Sequence, residues 1–316
     1  MHHRHSNPQV LTAVGMAAAE LPSASAQPSA MARSTQELEE RPAVVKKKRA
    51  FVMQAPTPAK TTRRTVKAAD LVYGTPGPLP PPAEVLNILG CQTLFLGIDT
   101  ETHQLVPRNR SRTDIGRFGL WTSDLGDVCS QLRLVQVGWC KGELHWEKPK
   151  TTARLVKPEG FVIDADATAK HRISNELAQA EGAPITGVLE EFLAAALEVD
   201  RLGGRVVAHN LAFDSEMISE ELKRSNLLEE AATWEGIASR GLCTMAPHIG
   251  HWIRKMAGMG DVPMNVRINL KDAARVLLPN CAELCVNHHH AGNDAEMHWY
   301  VCRELKRLAG RAAAQT

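Results

Sequence analysis

The chain lacks any apolar run near the roughly 20 residues that a membrane-spanning helix needs, so no membrane partner is read from it. It also lacks a disulfide framework, because its seven cysteines are odd in number and scattered, a pattern that suits a reducing compartment. There is no internal repeat, and little net charge: +2 over 316 residues. The near balance hides an asymmetry. Residues 1–86 carry 11 Lys/Arg against 6 Asp/Glu and the remainder 26 against 29, which joins a basic arm to a slightly acidic body.

The arm is rich in Ala, Ser, Pro, Thr and Arg, shows no sustained helical or alternating period, and ends in "GTPGPLPPPAEV". The expectation for 1–86 is a disordered segment closed by an extended polyproline spacer. Its clusters "KKKRA" and "TTRRTVK" suit a nuclear address or a phosphate-binding arm, and equally a solvated linker. The stretch "VLTAVGMAAA" at 10–19 faintly resembles a secretory leader. It is weakly apolar, and the body behind it does not look secreted, so the expected location is intracellular, in nucleus or cytoplasm.

Residues 87–312 alternate strand and helix patterns, as mixed α/β domains do. "TLFLGIDTE" reads as a first strand, and "RLVQVGWC" and "ELHWEKP" as two more paired through a "KG" hairpin, with "GFVID" a shorter candidate. Residues 103–131 form an excursion, with "TDIGRFGLWTSD" a strand candidate inside it. "PITGVLEEFLAAALEV" spaces Val188, Leu189, Phe192, Leu193, Ala196 and Leu197 for a helix with one buried face. "RVVAHN" is a buried strand, and "AFDSEMISEELKRSNL" the helix after it. "GLCTMAPHIGHWI" suggests a short helical piece and "INLKDAARVLL" a helix capped by Asn269. "AGNDAEMHWYVCRELKRLA" closes the domain as an amphipathic helix, with Met297, Val301, Leu305 and Leu308 as its apolar stripe.

Asp99 and Glu101 end the first strand two residues apart, on one face of it. Asp214 falls in the first turn of a helix after a buried strand, and Asp294 near the start of the last helix. Reactive groups in α/β sheets gather at strand ends and helix N-termini, so these four acids converge on one point. Two such charges about 4 Å apart repel by about 4 kcal/mol at an effective dielectric near 20. Protonation relieves that repulsion, and so does a pair of divalent cations. An all-oxygen donor set favours two Mg²⁺ or Mn²⁺ ions, which act on phosphodiesters. His289, five residues before Asp294, sits on the loop entering the helix, where an imidazole with an ordinary pKa near 6.5 can take a proton from water.

"DTET", "AHNLAFD" and "HHAGNDA", in that order, resemble the three motifs of the DEDD exonucleases in the branch marked by a histidine. "RLVQVGW", "KHRISNELAQAEGAPITGVLEEF" and "GLCTM" add to the likeness, which covers roughly residues 92–309. The resemblance implies a ribonuclease-H-like fold, a mixed central sheet flanked by helices. It also implies a 3′-to-5′ exonuclease that releases 5′-mononucleotides from single-stranded 3′ ends of DNA or RNA. By that likeness Asp99, Glu101, Asp214 and Asp294 hold two metal ions, Glu101 and the metals position the water, and His289 is the base. Asn210 and the backbone around Thr100 to Thr102 meet the terminal nucleotide. The excursion after Thr102 is longer than in a minimal member, and the histidine run 288–290 is this chain's own.

Two other readings compete. A binding module could keep the fold and hold nucleic acid without turnover. Alternatively Cys281, Cys285 and His288 have spacing that a zinc-stabilised interaction domain could use, although core packing accounts for the thiols as well. His209 reads as a hydrogen-bonded strand-end residue, and Trp121, Trp139 and Trp146 as packing residues or base-stacking platforms.

Overall fold

The computed structural model describes residues 79–106, 125–259, 263–264, 266–278 and 282–314. In chain order the elements are α1 (Ala83–Leu89), β1 (Leu94–Thr102), α2 (Leu125–Cys129), β2 (Leu134–Glu143), β3 (Lys150–Leu155), α3 (Ala165–His171), α4 (Asn175–Glu181) and α5 (Ile185–Arg201). They continue with β4 (Arg205–Ala208), α6 (Leu211–Arg224), α7 (Leu228–Ser239), β5 (Leu242–Cys243), α8 (Pro247–Met256), α9 (Leu270–Leu277), α10 (Ala282–Val286) and α11 (Ala291–Ala313).

The five strands form one sheet in the order β3-β2-β1-β4-β5. β1, β2 and β3 make an antiparallel meander, whereas β4 lies parallel to β1 and β5 parallel to β4. The parallel step matters for function. It carries the chain end of β4, and so the start of α6, to the sheet edge where β1 also ends.

Alternation along β1 divides two layers. Phe95 joins a core with Trp252, Met297, Trp299, Val301 and Leu305, beneath α8, α9 and α11. Leu96 and Ile98 face the other way, into a core with Phe192, Met217 and Trp234 beneath α5, α6 and α7. There Trp139, Phe192 and Trp234 form a chain of edge-to-face aromatic contacts, with centroids 5.8 and 5.0 Å apart. The architecture is ribonuclease-H-like, as expected.

Several expectations hold and several are corrected. β1, α5, β4, α6, α9 and α11 stand where the residue patterns put them, and Asn269 Oδ1 accepts from the Asp272 N–H as the α9 cap. The "KG" hairpin is wrong: Lys141 and Gly142 lie inside β2, "ELHWEKP" supplies the turn, and the third strand is Lys150–Leu155. "GFVID" is not a strand, although Ile163 is buried. "GLCTMAPHIGHWI" splits into β5 and the start of α8, and α7 had no counterpart in the sequence reading. Within the expected spacer, residues 83–86 belong to α1, and Val85 is fully buried in the core. The rest of the arm up to residue 78, the 113–124 strand candidate with Trp121, and Cys281 lie outside the described residues. Among the described residues no helix is long and apolar enough to cross a membrane, and the described cysteines form no disulfide with one another.

Candidate active site

The site exists because α11 presses unusually close to the sheet. Gly97 on β1 and Gly138 on β2 lie under its first turns, and a Cβ on either would collide with helix backbone at Ala295 or Ala291. Further along, a Cβ at Gly142 would stand 2.9 Å from the Trp299 ring. Polar contacts fix the same approach. The buried Gln136 side chain accepts from the Ala291 N–H at 2.8 Å, satisfying one of the helix's orphan donors. His298 Nδ1 lies 2.7 Å from the Ile98 carbonyl, one residue before Asp99.

This approach places Asp294, in the first turn of α11 and 3 % exposed, against the end of β1. Carboxylate oxygens of Asp99, Glu101 and Asp294 lie within 4.8 Å of one another. Asp214 arrives from the opposite layer. Its Oδ1 accepts from both the Thr100 N–H at 3.0 Å and the Thr100 hydroxyl at 2.8 Å. Asp99 and Glu101 point to the α11 side of β1 and Thr100 to the α6 side, so the strand's alternation collects acids from both layers. Three of the expected acids thus share one group of oxygens, and Asp214, held on Thr100, lies close enough for its charge to act on Asp99 and Glu101.

Their titration reflects the crowding. Burial, then the charges of Asp214, Asp294 and Glu101, hold the Asp99 carboxyl well above the usual range. Burial, then Asp294 and Asp214, push Glu101 up to about 8, against a smaller opposing pull from Lys170. Burial raises Asp214 to about 7 even though the two Thr100 hydrogen bonds favour its charged form. The protein by itself supplies too little positive charge here. A hard divalent cation fits such a donor set, which is all oxygen and negatively charged.

The three histidines of the run separate by role. His288 Nδ1 contacts Asp294 Oδ2 at 3.0 Å. His289 has a left-handed backbone, φ 68°, and its N–H donates to Asp294 Oδ2 at 3.1 Å. Its half-buried ring puts Nδ1 4.0 Å from Glu101 Oε1. Burial and the adjacent His288 push its pKa down to about 4, so the ring is neutral and able to accept a proton near pH 7. His290 turns away, with Nε2 3.2 Å from the Gln136 amide.

The expected nucleotide-binding residues divide. Thr100 is 7 % exposed with both donors committed to Asp214, so its side chain holds an acid in place instead of facing a ligand. The Thr102 hydroxyl donates to the Gln104 carbonyl, and its own carbonyl meets His171 Nε2 at 3.2 Å. Asn210, left-handed at φ 101° just before α6, keeps a buried Oδ1 with no hydrogen-bond partner. His209 sits between Thr244 Oγ1 and the Ile268 carbonyl, as a strand-end histidine should. Trp139 is core, not a stacking platform. Of the zinc reading's residues, His288 has its Nδ1 on Asp294, Cys285 is buried, and Cys281 lies outside the described residues. Sequence reading missed the parts played by Gln136, Gly97, Gly138 and Thr100; the glycines sit on one strand face, a signal visible only once the strands are paired.

No protein-family model matches the chain, and no curated protein does. Among solved structures it is similar to the zinc-bound form of E. coli exonuclease I in complex with single-stranded DNA, at 15 % identity and a TM-score of 0.46, over 71 % of this chain and 43 % of that one. It is also similar to the nuclease domain of 3′hExo, a DEDDh family member bound to rAMP, at 11 % identity and a TM-score of 0.39, over 71 % of this chain and 92 % of that one. A 3′-exonuclease that recognises the histone mRNA stem-loop matches at 10 % identity and a TM-score of 0.35, over 71 % and 82 %. This chain spans less than half of the exonuclease I chain. Identities of this size speak to fold alone and the TM-scores are low, so what the site can do is read from its own side chains. Its strand order, with acids at the ends of β1 and the starts of α6 and α11, gives the chain a ribonuclease-H-like fold.

Proposed function

We propose that this protein is a metal-dependent 3′-to-5′ exonuclease that hydrolyses single-stranded DNA or RNA to 5′-mononucleotides. The observation that carries the reading is the meeting of Asp99, Glu101 and Asp294 oxygens within 4.8 Å, beside a neutral imidazole. Divalent ions of the Mg²⁺ or Mn²⁺ kind, held by Asp99, Glu101, Asp214 and Asp294, would supply charge neutralisation and Lewis-acid polarisation of a phosphodiester.

The chain's own residues do the rest. Hydrogen bonds of about 2.8 Å from one water reach both Glu101 Oε1 and His289 Nδ1 across their 4.0 Å separation. Glu101 orients that water, and His289 Nδ1 takes its proton as it attacks phosphorus; the P–O3′ bond breaks, the 3′ oxygen of the shortened strand leaves, and the terminal residue departs as a 5′-mononucleotide. Thr100 keeps Asp214 in position from the far layer. Asn210, whose buried Oδ1 has no hydrogen-bond partner, would meet the terminal nucleotide.

The test is a 5′-labelled single-stranded oligonucleotide incubated with protein and Mg²⁺, in matched DNA and RNA forms. A ladder of products shortened from the 3′ end is expected. Asp99→Ala should abolish it, and His289→Ala should slow it by about 10² to 10⁴-fold without loss of folding. Binding without shortening would favour the rival reading of a non-catalytic nucleic-acid module. Equal degradation by all three proteins would overturn the assignment.

A further inference from the structure

Asp294 serves two donor groups, not one. On one side its oxygens lie with those of Asp99 and Glu101; on the other they lie with the nitrogens of His288 and His289, again within 4.8 Å of one another. The second group stands on direct geometry. His288 Nδ1 lies 3.0 Å from Asp294 Oδ2 and 3.2 Å from Oδ1. The His288 and His289 rings face each other with centroids 3.7 Å apart. Both side chains are partly open, at 26 % and 32 % exposure, so an ion can enter from solvent.

We infer that His288, His289 and Asp294 form a distinct, nitrogen-rich cation site that takes a borderline transition ion such as Zn²⁺ or Co²⁺ in preference to Mg²⁺. Zinc sits about 2.0–2.2 Å from nitrogen and oxygen ligands, which sets tetrahedral donors roughly 3.3–3.6 Å apart. The His288–Asp294 contacts are already near that spacing. Imidazole donors favour zinc-like ions and carboxylate donors favour Mg²⁺ and Mn²⁺, so the two faces of Asp294 select different metals. Three protein ligands leave a fourth position for water or a phosphate oxygen.

The consequence rests on the proposed nuclease reading. An ion in this site uses the lone pair that His289 needs as base and draws Asp294 away from the oxygen cluster. Zn²⁺ is therefore an inhibitor that acts against Mg²⁺-supported turnover, through His288.

The experiment uses full-length protein with His2, His3 and His5 replaced by Ala, because that terminal cluster could bind the same ions. Co²⁺ is titrated and followed by its visible absorption, with Mn²⁺ uptake measured separately by loss of the free-ion magnetic resonance signal. His288→Ala should lose one Co²⁺ equivalent and its absorption band, while Mn²⁺ uptake by the oxygen cluster persists. Zn²⁺ should displace the Co²⁺ band, and excess Mg²⁺ should not. Equal Co²⁺ uptake and spectra in the two proteins would overturn the site. So would a parallel loss of Mn²⁺ uptake in His288→Ala, which would make His288 a support of the oxygen cluster. Absence of Mn²⁺ uptake in the His288-containing protein would instead remove the basis of the nuclease reading, with the Co²⁺ result still deciding this one.

Discussion

The two faces of the sheet are built on opposite plans. Beneath α5, α6 and α7 the layer is thick, filled by Leu96, Ile98, Trp139, Phe192 and Trp234. Beneath α11 it thins to almost nothing near the site, where Gly97 and Gly138 let helix backbone rest on strand backbone. The thick face supplies apolar burial, the main favourable term in folding. The thin face gives up side-chain volume in order to deliver Asp294 to Asp99. Each side has its own apolar core and Asp214 reaches the site from the thick one, but around Asp99 bulky packing lies on one side of the sheet and close helix approach on the other, and substitutions should tell them apart.

The largest stability effect is expected on the thick face. Phe192→Ala removes a fully buried ring in contact with two tryptophans and should cost about 3–5 kcal/mol in denaturant unfolding. Its folded fraction should still take up Mn²⁺ normally. Gly138→Ala should lie at the upper end of the about 1–3 kcal/mol typical of overpacking, because the new carbon meets backbone that cannot rotate aside. Mn²⁺ uptake and turnover should fall much further than stability does. If Gly138→Ala bound Mn²⁺ as the unsubstituted protein does, the division of labour between the faces would be wrong.

Acidity provides a subtler contrast. In the metal-free protein the raised carboxyls, Glu101 at about 8 and Asp214 at about 7, bind protons that the unfolded chain has released. Their contribution is fully present below the ordinary carboxyl range and is lost as pH rises through 7 and 8. Buried His209 and His298, lowered to about 3 and about 4, act in the opposite sense, but only below about 6.5. Melting temperature in EDTA should therefore fall between pH 6.5 and 8.5, and Mg²⁺ should flatten the slope because binding displaces those protons. A flat profile in EDTA would show that the acids do not share their charge. The smallest effect is expected at a helix cap that contributes no group to the site: Asn269→Ala removes the α9 cap and should cost about 1 kcal/mol, with cation uptake unchanged.

Much of this was legible before any coordinates. The elements α5 and α11 were legible, with Leu197 the one expected α5 stripe residue that is exposed, and Asp99, Glu101, Asp214 and Asp294 stand at the strand end and helix starts where they were expected, because periodicity and strand-end position are local. The "KG" hairpin failed because glycine has two uses. Gly142 looked like a turn residue, yet it stays in β2 as clearance for the Trp299 ring, whose Nε1–H donates to the Gly142 carbonyl. α7 escaped notice because its buried positions include Ala231 and Ala238 beside Trp234 and Ile237, an apolar stripe too weak to stand out. Thr100 was taken for a ligand contact because nothing local reveals a partner 114 residues away.

By itself the sequence determined which residue types stand at strand ends and helix starts, and hence the kind of chemistry available. Only the tertiary structure decided which acids share a space, which histidine faces Glu101 and which grips Asp294. The reason is range: periodicity acts over a few residues, whereas electrostatic crowding depends on distances set by how closely α11 can approach a strand stripped of side chains.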